Sequence, residues 1–305
     1  CRLVWAGCMK ISGIIPPLVT PFHPDGRLDL ASFEANLGFY SGQDLSGYLV
    51  LGSNGEAASL EDDEKLALVR SARRLCPPER LLLVGSGLES TLATVALTRR
   101  VADLGADAVL VLTPHYYRPQ MTSEALRRHY EAVAEAAPVP VLLYSVPQYT
   151  GLPIPPELCA SLAAHPRVAG IKDSSGDVGA LSKLLAAAPP GFRVVCGSAP
   201  VLYPALCLGA VAGILAVACC APGAASAVYR AFERGDHAAA LAAQRRLTPL
   251  AAAVTAGHGV AGLKAAMDLA GLVGGSVRAP LLPVGEGGRR EIAARLSELG
   301  LSSGP

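Results

Sequence analysis

The chain has 305 residues, 51% of them hydrophobic and 17% charged, with a formal net charge of +1. This length suits one large α/β barrel or two smaller units, and it is long enough to bury a sizeable core. Near-neutral charge without a basic run argues against a nucleic-acid partner, and the absence of any apolar run of about 18 residues argues against a membrane-spanning helix.

The longest apolar stretch, 210–227, is interrupted by Gly213, Pro222 and Gly223. Eight cysteines (Cys1, Cys8, Cys76, Cys159, Cys196, Cys207, Cys219 and Cys220) form no CxxC pair and show no Cys/His ligand spacing. They read as reduced, mostly buried small hydrophobes of an intracellular protein.

Residues 1–8 precede Met9 and read as a remnant, an upstream extension or the stub of a removed targeting segment, outside the fold. Short Val/Leu/Ile runs then alternate with helical patterns. The runs are 13–19, 47–51, 81–85, 108–112, 139–144, 168–171, 193–196 and 212–215. Between them, apolar residues recur at steps of three and four over 60–75, 91–104 and 123–136, which predicts helices. Continuous rather than alternating apolar strands suit a parallel sheet covered on both faces. Eight strand–helix units with short connections give the α/β class and a (β/α)8 TIM barrel over 9–234. Further helical patterns at about 219–234, 236–254, 259–270 and 288–298 supply the last barrel helix and a C-terminal helical appendage, 235–305, packed on the barrel. The rival architecture, an open doubly wound sheet, lacks a GxGxxG at an early strand-to-helix turn.

Chemistry in a barrel sits at the C-terminal ends of the strands. Polar residues collect there: Gly52-Ser53-Asn54-Gly55-Glu56, Thr113-Pro114-His115-Tyr116-Tyr117-Arg118, Tyr144-Ser145-Val146-Pro147, Lys172-Asp173-Ser174-Ser175-Gly176 and Gly197-Ser198-Ala199. Lys172 is one of only five lysines, against twenty-one arginines, and it ends a run that reads as buried. Desolvation disfavours an ammonium, and a free amine attacks a ketone to form a Schiff base. The bland alternative is a lysine that snorkels to the rim or pairs with Asp173. Tyr144 is either a proton shuttle or a core tyrosine with a satisfied hydroxyl. Tyr116 and Tyr117 read as contact anchors, unless one enters a neighbour's site. The 52–56 turn offers N–H groups and a hydroxyl to a carboxylate, or it is an ordinary turn in which Ser59 or Glu56 caps the next helix. Six dispersed histidines (His23, His115, His129, His165, His237 and His258) show no metal-ligand spacing, so no metal is expected.

Taken in order, GSNGE, TPHYYRP, LYSVPQYTG and GIKDSSG resemble the pyruvate-dependent class I aldolases of the dihydrodipicolinate synthase and N-acetylneuraminate lyase superfamily, over 14–282. The resemblance implies a Schiff base between Lys172 and the C2 carbonyl of a small 2-oxo acid, with Tyr144 as proton shuttle. It implies that Ser53 links Tyr144 to Tyr116, which reaches in from a neighbouring subunit of a homotetramer built as a dimer of dimers. The amides of Ser53 and Asn54 would hold the C1 carboxylate, and the Ile214 carbonyl would lie near the reacting centre. No cofactor is implied, because the lysine itself provides the electron sink.

Dihydrodipicolinate synthases usually place an arginine five residues after the tyrosine, where this chain has Tyr149. N-acetylneuraminate lyases usually follow the lysine with an apolar residue and a threonine, where this chain has Asp173 and Ser174. With GSA and GLKxxMD added, the combination looks most like the 4-hydroxy-2-oxoglutarate aldolases of the mitochondrial vertebrate type. That implies a carbon–carbon lyase releasing pyruvate and glyoxylate, with Ser53, Asn54 and Ser174 as carboxylate contacts and Ser198 as a further polar partner. The alternatives are a 2-keto-3-deoxy sugar acid aldolase or dehydratase, a dihydrodipicolinate synthase, and a non-catalytic keto-acid-binding barrel. The expected location is cytoplasmic, or the mitochondrial matrix for a eukaryotic chain.

Overall fold

The computed structural model describes residues 10–301, so the 1–8 segment, Met9 and the Ser-Gly-Pro tail lie outside the described residues. Apolar runs too short for a helix and bounded by glycine or polar residues become strands: β1 (Gly13–Ile15), β2 (Gly47–Val50), β3 (Leu81–Gly85), β4 (Ala108–Leu112), β5 (Val141–Ser145), β6 (Val168–Asp173), β7 (Arg193–Cys196) and β8 (Ala212–Ile214). A helix follows each one: α1 (Leu30–Ser41), α2 (Asp62–Leu75), α3 (Thr91–Asp103), α4 (Ser123–Ala136), α5 (Pro156–Leu162), α6 (Val178–Ala187), α7 (Leu202–Leu208) and α8 (Pro222–Glu233).

All the ladders are parallel, running β1-β8-β7-β6-β5-β4-β3-β2. The remaining seam closes where Leu49 donates to the Pro16 carbonyl (3.0 Å) and Leu18 donates to that of Leu49 (2.8 Å). The first strand is shorter than the expected 13–19, because Pro16 and Pro17 have no N–H for a ladder. This is the expected (β/α)8 barrel.

Its interior is filled by side chains such as Leu49, Leu83, Leu110, Leu142, Val195 and Ala212, while a larger apolar layer lies between sheet and helices. Side chains alternate faces along a strand. Tyr144 and Ile214 therefore continue the inner face two residues beyond Leu142 and Ala212. The sixth strand runs two residues past its expected end, so Lys172 lies within it, in register with Tyr144 on β5 and Val195 on β7.

Beyond the barrel come α9 (His237–Ala252), a π-helical turn (Ala253–Gly257), α10 (Gly259–Leu269) and α11 (Glu286–Glu298). The expected boundary at 234/235 falls in the turn between α8 and α9. Among the described residues, all six cysteines are free and only Cys207 is exposed. No described helix is long and apolar enough to cross a membrane.

One packed group makes the fold acid-sensitive. His129 on α4 is 6% exposed. Its Nδ1 meets Thr91 Oγ1 at 2.9 Å, and its Nε2 has no partner among the described residues. Burial pushes this imidazole down to about 4, so the folded chain holds it neutral where the unfolded chain protonates it. Its contribution is fully present above the unfolded value near 6.5 and is lost as pH falls from there toward about 4, amounting to about 3 kcal/mol. Chemical denaturation at pH 7.5 and 4.5 should show a smaller acid loss in His129→Gln than in the parent. Equal losses would refute this assignment.

Candidate active site

The strand ends bring Lys172, Tyr144, Ser53, Asn54, Ser174, Ser198 and Ile214 to the lining of one cavity of about 480 Å³. Lys172 is only 3% exposed, and its Nζ stands 4.3 Å from the centre of the Tyr144 ring. Among the described residues it pairs with no carboxylate. Asp173, the rival partner, instead accepts from Ser175 Oγ (2.6 Å) and N–H (3.4 Å). Burial raises the Asp173 carboxyl from its ordinary value, and those Ser175 bonds partly offset the rise. The snorkelling and Asp173-pairing alternatives for Lys172 therefore do not describe this side chain.

Tyr144 OH and Ser53 Oγ are 3.4 Å apart, long for a hydroxyl pair. Ser53 and Asn54 open a single 3-10 turn, Ser53–Gly55, in which Gly55 donates to the Gly52 carbonyl (3.0 Å) and Glu56 to that of Ser53 (3.1 Å). The first N–H groups of such a turn are not consumed within it, so they are free to meet an anion. Ser174 is held by its N–H on the Ser145 carbonyl (2.9 Å) and by Gln148 Nε2 on its own carbonyl (2.9 Å). Its hydroxyl is buried with no partner among the described residues, a donor and acceptor waiting for a ligand. Among the described residues, no three His, Cys, Asp or Glu side chains gather as a metal-binding group.

Tyr116 is the predicted site residue that does not join this cavity. It is 77% exposed, sits edge-on to Tyr117 with ring centres 5.0 Å apart, and lines a second cavity of about 420 Å³. Its loop is tied down by Glu89, whose Oε2 accepts from the N–H groups of His115 (2.9 Å) and Tyr116 (2.8 Å). Ser53 and Tyr144 line both cavities and so form the wall between them.

The capping alternative for Ser59 or Glu56 is also corrected. Helix α2 is capped by Glu61, whose N–H donates to Glu64 Oε2 at 2.9 Å. Glu56 is buried instead, paired with Lys264.

Five lining residues are not indicated by the sequence reading: Pro200 and Ala216, just past the ends of β7 and β8, and Ala252, Thr255 and Ala256, from the end of α9 and the π-helical turn. For the last three, the available signal was Pro249 and Gly257 framing a helical pattern, since π turns often mark functional sites. Gly197 opens the GSA motif, and it is the position where the cavity tolerates no side chain. A Cβ there would stand 2.0 Å from Ser174 Oγ and 3.0 Å from Lys172 Cε. Gly197→Ala is therefore expected to displace the amine and slow its reaction with a keto acid by about 10²-fold. Timed borohydride trapping would measure this, and a parent-like rate would show that the lysine does not need this clearance.

The sequence profile of the dihydrodipicolinate synthetase family matches residues 10–299. A 4-hydroxy-tetrahydrodipicolinate synthase of Xanthomonas campestris pv. campestris is 38% identical over 277 residues, 90% of each chain. Among solved structures, the dihydrodipicolinate synthase of Acinetobacter baumannii, complexed with pyruvate, superposes with a TM-score of 0.91 at 31% identity, covering 96% of this chain and 100% of that one. A monomeric dihydrodipicolinate synthase variant superposes with a TM-score of 0.90 at 30% identity, covering 95% and 97%.

Proposed function

Because the chain belongs to the dihydrodipicolinate synthetase family, we propose that it is a Schiff-base aldolase cleaving 4-hydroxy-2-oxoglutarate to pyruvate and glyoxylate. The chain is an enzyme of the carbon–carbon lyase class. The observation that carries the reading is Lys172: an amine on a barrel strand, 3% exposed, unpaired with any carboxylate, and facing a cavity beside Tyr144.

In the proposed reaction the Lys172 amine adds to the C2 carbonyl, and water leaves to give an iminium. Tyr144 takes the proton of the C4 hydroxyl as the C3–C4 bond breaks. The bonding pair moves into the iminium, forming an enamine, and glyoxylate departs. Protonation at C3 and hydrolysis return pyruvate and the free amine. Amides of Ser53 and Asn54 hold the C1 carboxylate, and the unpartnered Ser174 hydroxyl serves the far end of the substrate with Ser198.

One lining position supports this choice of substrate over aspartate semialdehyde: Tyr149 lies where dihydrodipicolinate synthases usually carry an arginine for a carboxylate. The names of the relatives favour a second reading, 4-hydroxy-tetrahydrodipicolinate synthase, in which the same pyruvate enamine attacks an aldehyde. Pyruvate consumption with glyoxylate, aspartate semialdehyde and a sugar-derived aldehyde in parallel decides between them. We expect glyoxylate to lead in kcat/KM by about 10²-fold, the scale on which a pocket discriminates between substrates that differ by a small group. A lead by aspartate semialdehyde would establish the synthase, and a lead by the sugar aldehyde a 2-keto-3-deoxy acid aldolase.

The assembly follows from the same reading. Tyr116 and Tyr117 project from the chain beside the second cavity, and Leu92 is also exposed at 81%. A neighbouring subunit's Tyr116 would fill that cavity and reach Ser53 and Tyr144, within a tetramer of paired dimers. The bacterial relatives support a cytoplasmic location.

A further inference from the structure

The GLKxxMD motif has found no place in the chemistry, yet its lysine is more deeply buried than Lys172. Lys264 on α10 is 1% exposed, and its Nζ lies 2.5 Å from Glu56 Oε1, 2.6 Å from the Ser276 carbonyl and 4.5 Å from the centre of the Phe22 ring. Glu56 ends the GSNGE turn. Its other oxygen accepts the Arg278 N–H at 2.9 Å. The Arg278 side chain holds the Ser59 carbonyl (2.7 Å) and both Glu64 oxygens (2.6 and 2.7 Å). The C-terminal segment thus grips the turn and the start of α2 from behind.

The turn needs such a grip. Among the described residues, Leu51 (φ 58°) and Glu56 (φ 52°) are the only non-glycine residues with left-handed backbone, and they bracket Gly52 to Gly55. Left-handed backbone is unfavourable for side chains with a Cβ and persists only when the surroundings enforce it. For Glu56 the surroundings are Lys264 and the Arg278 N–H, both brought by chain beyond the barrel.

We infer that Lys264 is a positioning residue: its buried ion pair with Glu56 holds the left-handed end of the GSNGE turn and so aims the Ser53 and Asn54 amides at the substrate carboxylate. The carboxylate part rests on the proposed function; the turn-holding part does not.

Two readouts on Lys264→Met test it, with folding checked by circular dichroism. Hydrogen exchange followed by mass spectrometry should show peptides covering 52–59 exchanging at least about tenfold faster than in the parent, with peptides from β3 and β4 unchanged. Borohydride trapping should show the half-saturating pyruvate concentration raised about tenfold, with the rate at saturation within about twofold of the parent, as expected when a binding contact rather than the chemistry is lost. A purely structural role would speed exchange throughout or leave half-saturation alone, and either result overturns the inference. If Lys264→Met does not fold, the charge-free pair Glu56→Gln/Lys264→Met replaces it under the same criteria, since it leaves no uncompensated buried ion. If the parent is not trapped by pyruvate, the proposed function fails, and the exchange measurement alone upholds or overturns the holding of the turn.

Discussion

Lys172→Met is expected to abolish the borohydride-trapped pyruvyl adduct and to lower cleavage by on the order of 10⁴-fold or more, the scale on which enzymes lose activity with their nucleophile. Intact mass with peptide mapping reads the adduct, and glyoxylate release reads turnover. The same variant should unfold no earlier than the parent. The amine is buried with no carboxylate beside it, so methionine of similar length removes a desolvation cost while keeping the packing. A variant that is at least as stable and yet inactive is the signature of a residue retained for chemistry. A folded Lys172→Met with full turnover would refute the proposed mechanism outright.

Tyr144→Phe is expected to lower cleavage of the hydroxy acid by about 10²- to 10⁴-fold, the usual range for a lost general acid–base. The phenyl ring would keep the packing beside Lys172 Nζ at 4.3 Å, so the variant isolates the hydroxyl. Pyruvate should still be trapped at Lys172, with a smaller loss of rate than cleavage suffers. Equal cleavage rates in the two proteins would leave Tyr144 as a packing residue and require the proton to move through another group. Because Ser53 Oγ is 3.4 Å from the Tyr144 hydroxyl, Ser53→Ala is the natural companion variant.

The barrel was legible in the sequence because strand runs and helical periodicity are local properties. The runs at 81–85, 108–112 and 193–196 coincide with β3, β4 and β7, since each holds one uninterrupted apolar string (81–84, 108–112 and 194–196). Once the barrel was recognised, the rule that chemistry sits at strand ends singled out Lys172, Tyr144, Ser53 and Asn54, which do share a cavity. Long-range contacts were hidden. Glu56 looked like a capping residue because its partner, Lys264, lies on a distant helix. Thr255 was hidden because a π turn has no strong local signature and its approach to the cavity depends on how α9 crosses the barrel mouth. Tyr116 was grouped with the others through the family resemblance, and within one chain it stands across the Ser53–Tyr144 wall from Lys172.

The seam at β1 has a bearing on how the protein is made. The first strand ladders with β8, with Gly13 opposite Ala212, and meets the β2 side through the Ser46 N–H on the Ile14 carbonyl (2.9 Å) and the bonds around Pro16 and Pro17 that follow it. As the chain is synthesised from its N-terminus, β1 emerges first, yet its ladder partner is the last of the eight strands. Until residue 212 has left the ribosome, β1 lacks its ladder partner, and the six strands between β1 and β8 can form only an open sheet. The clasp that turns this sheet into a barrel joins the first of the eight strands made to the last.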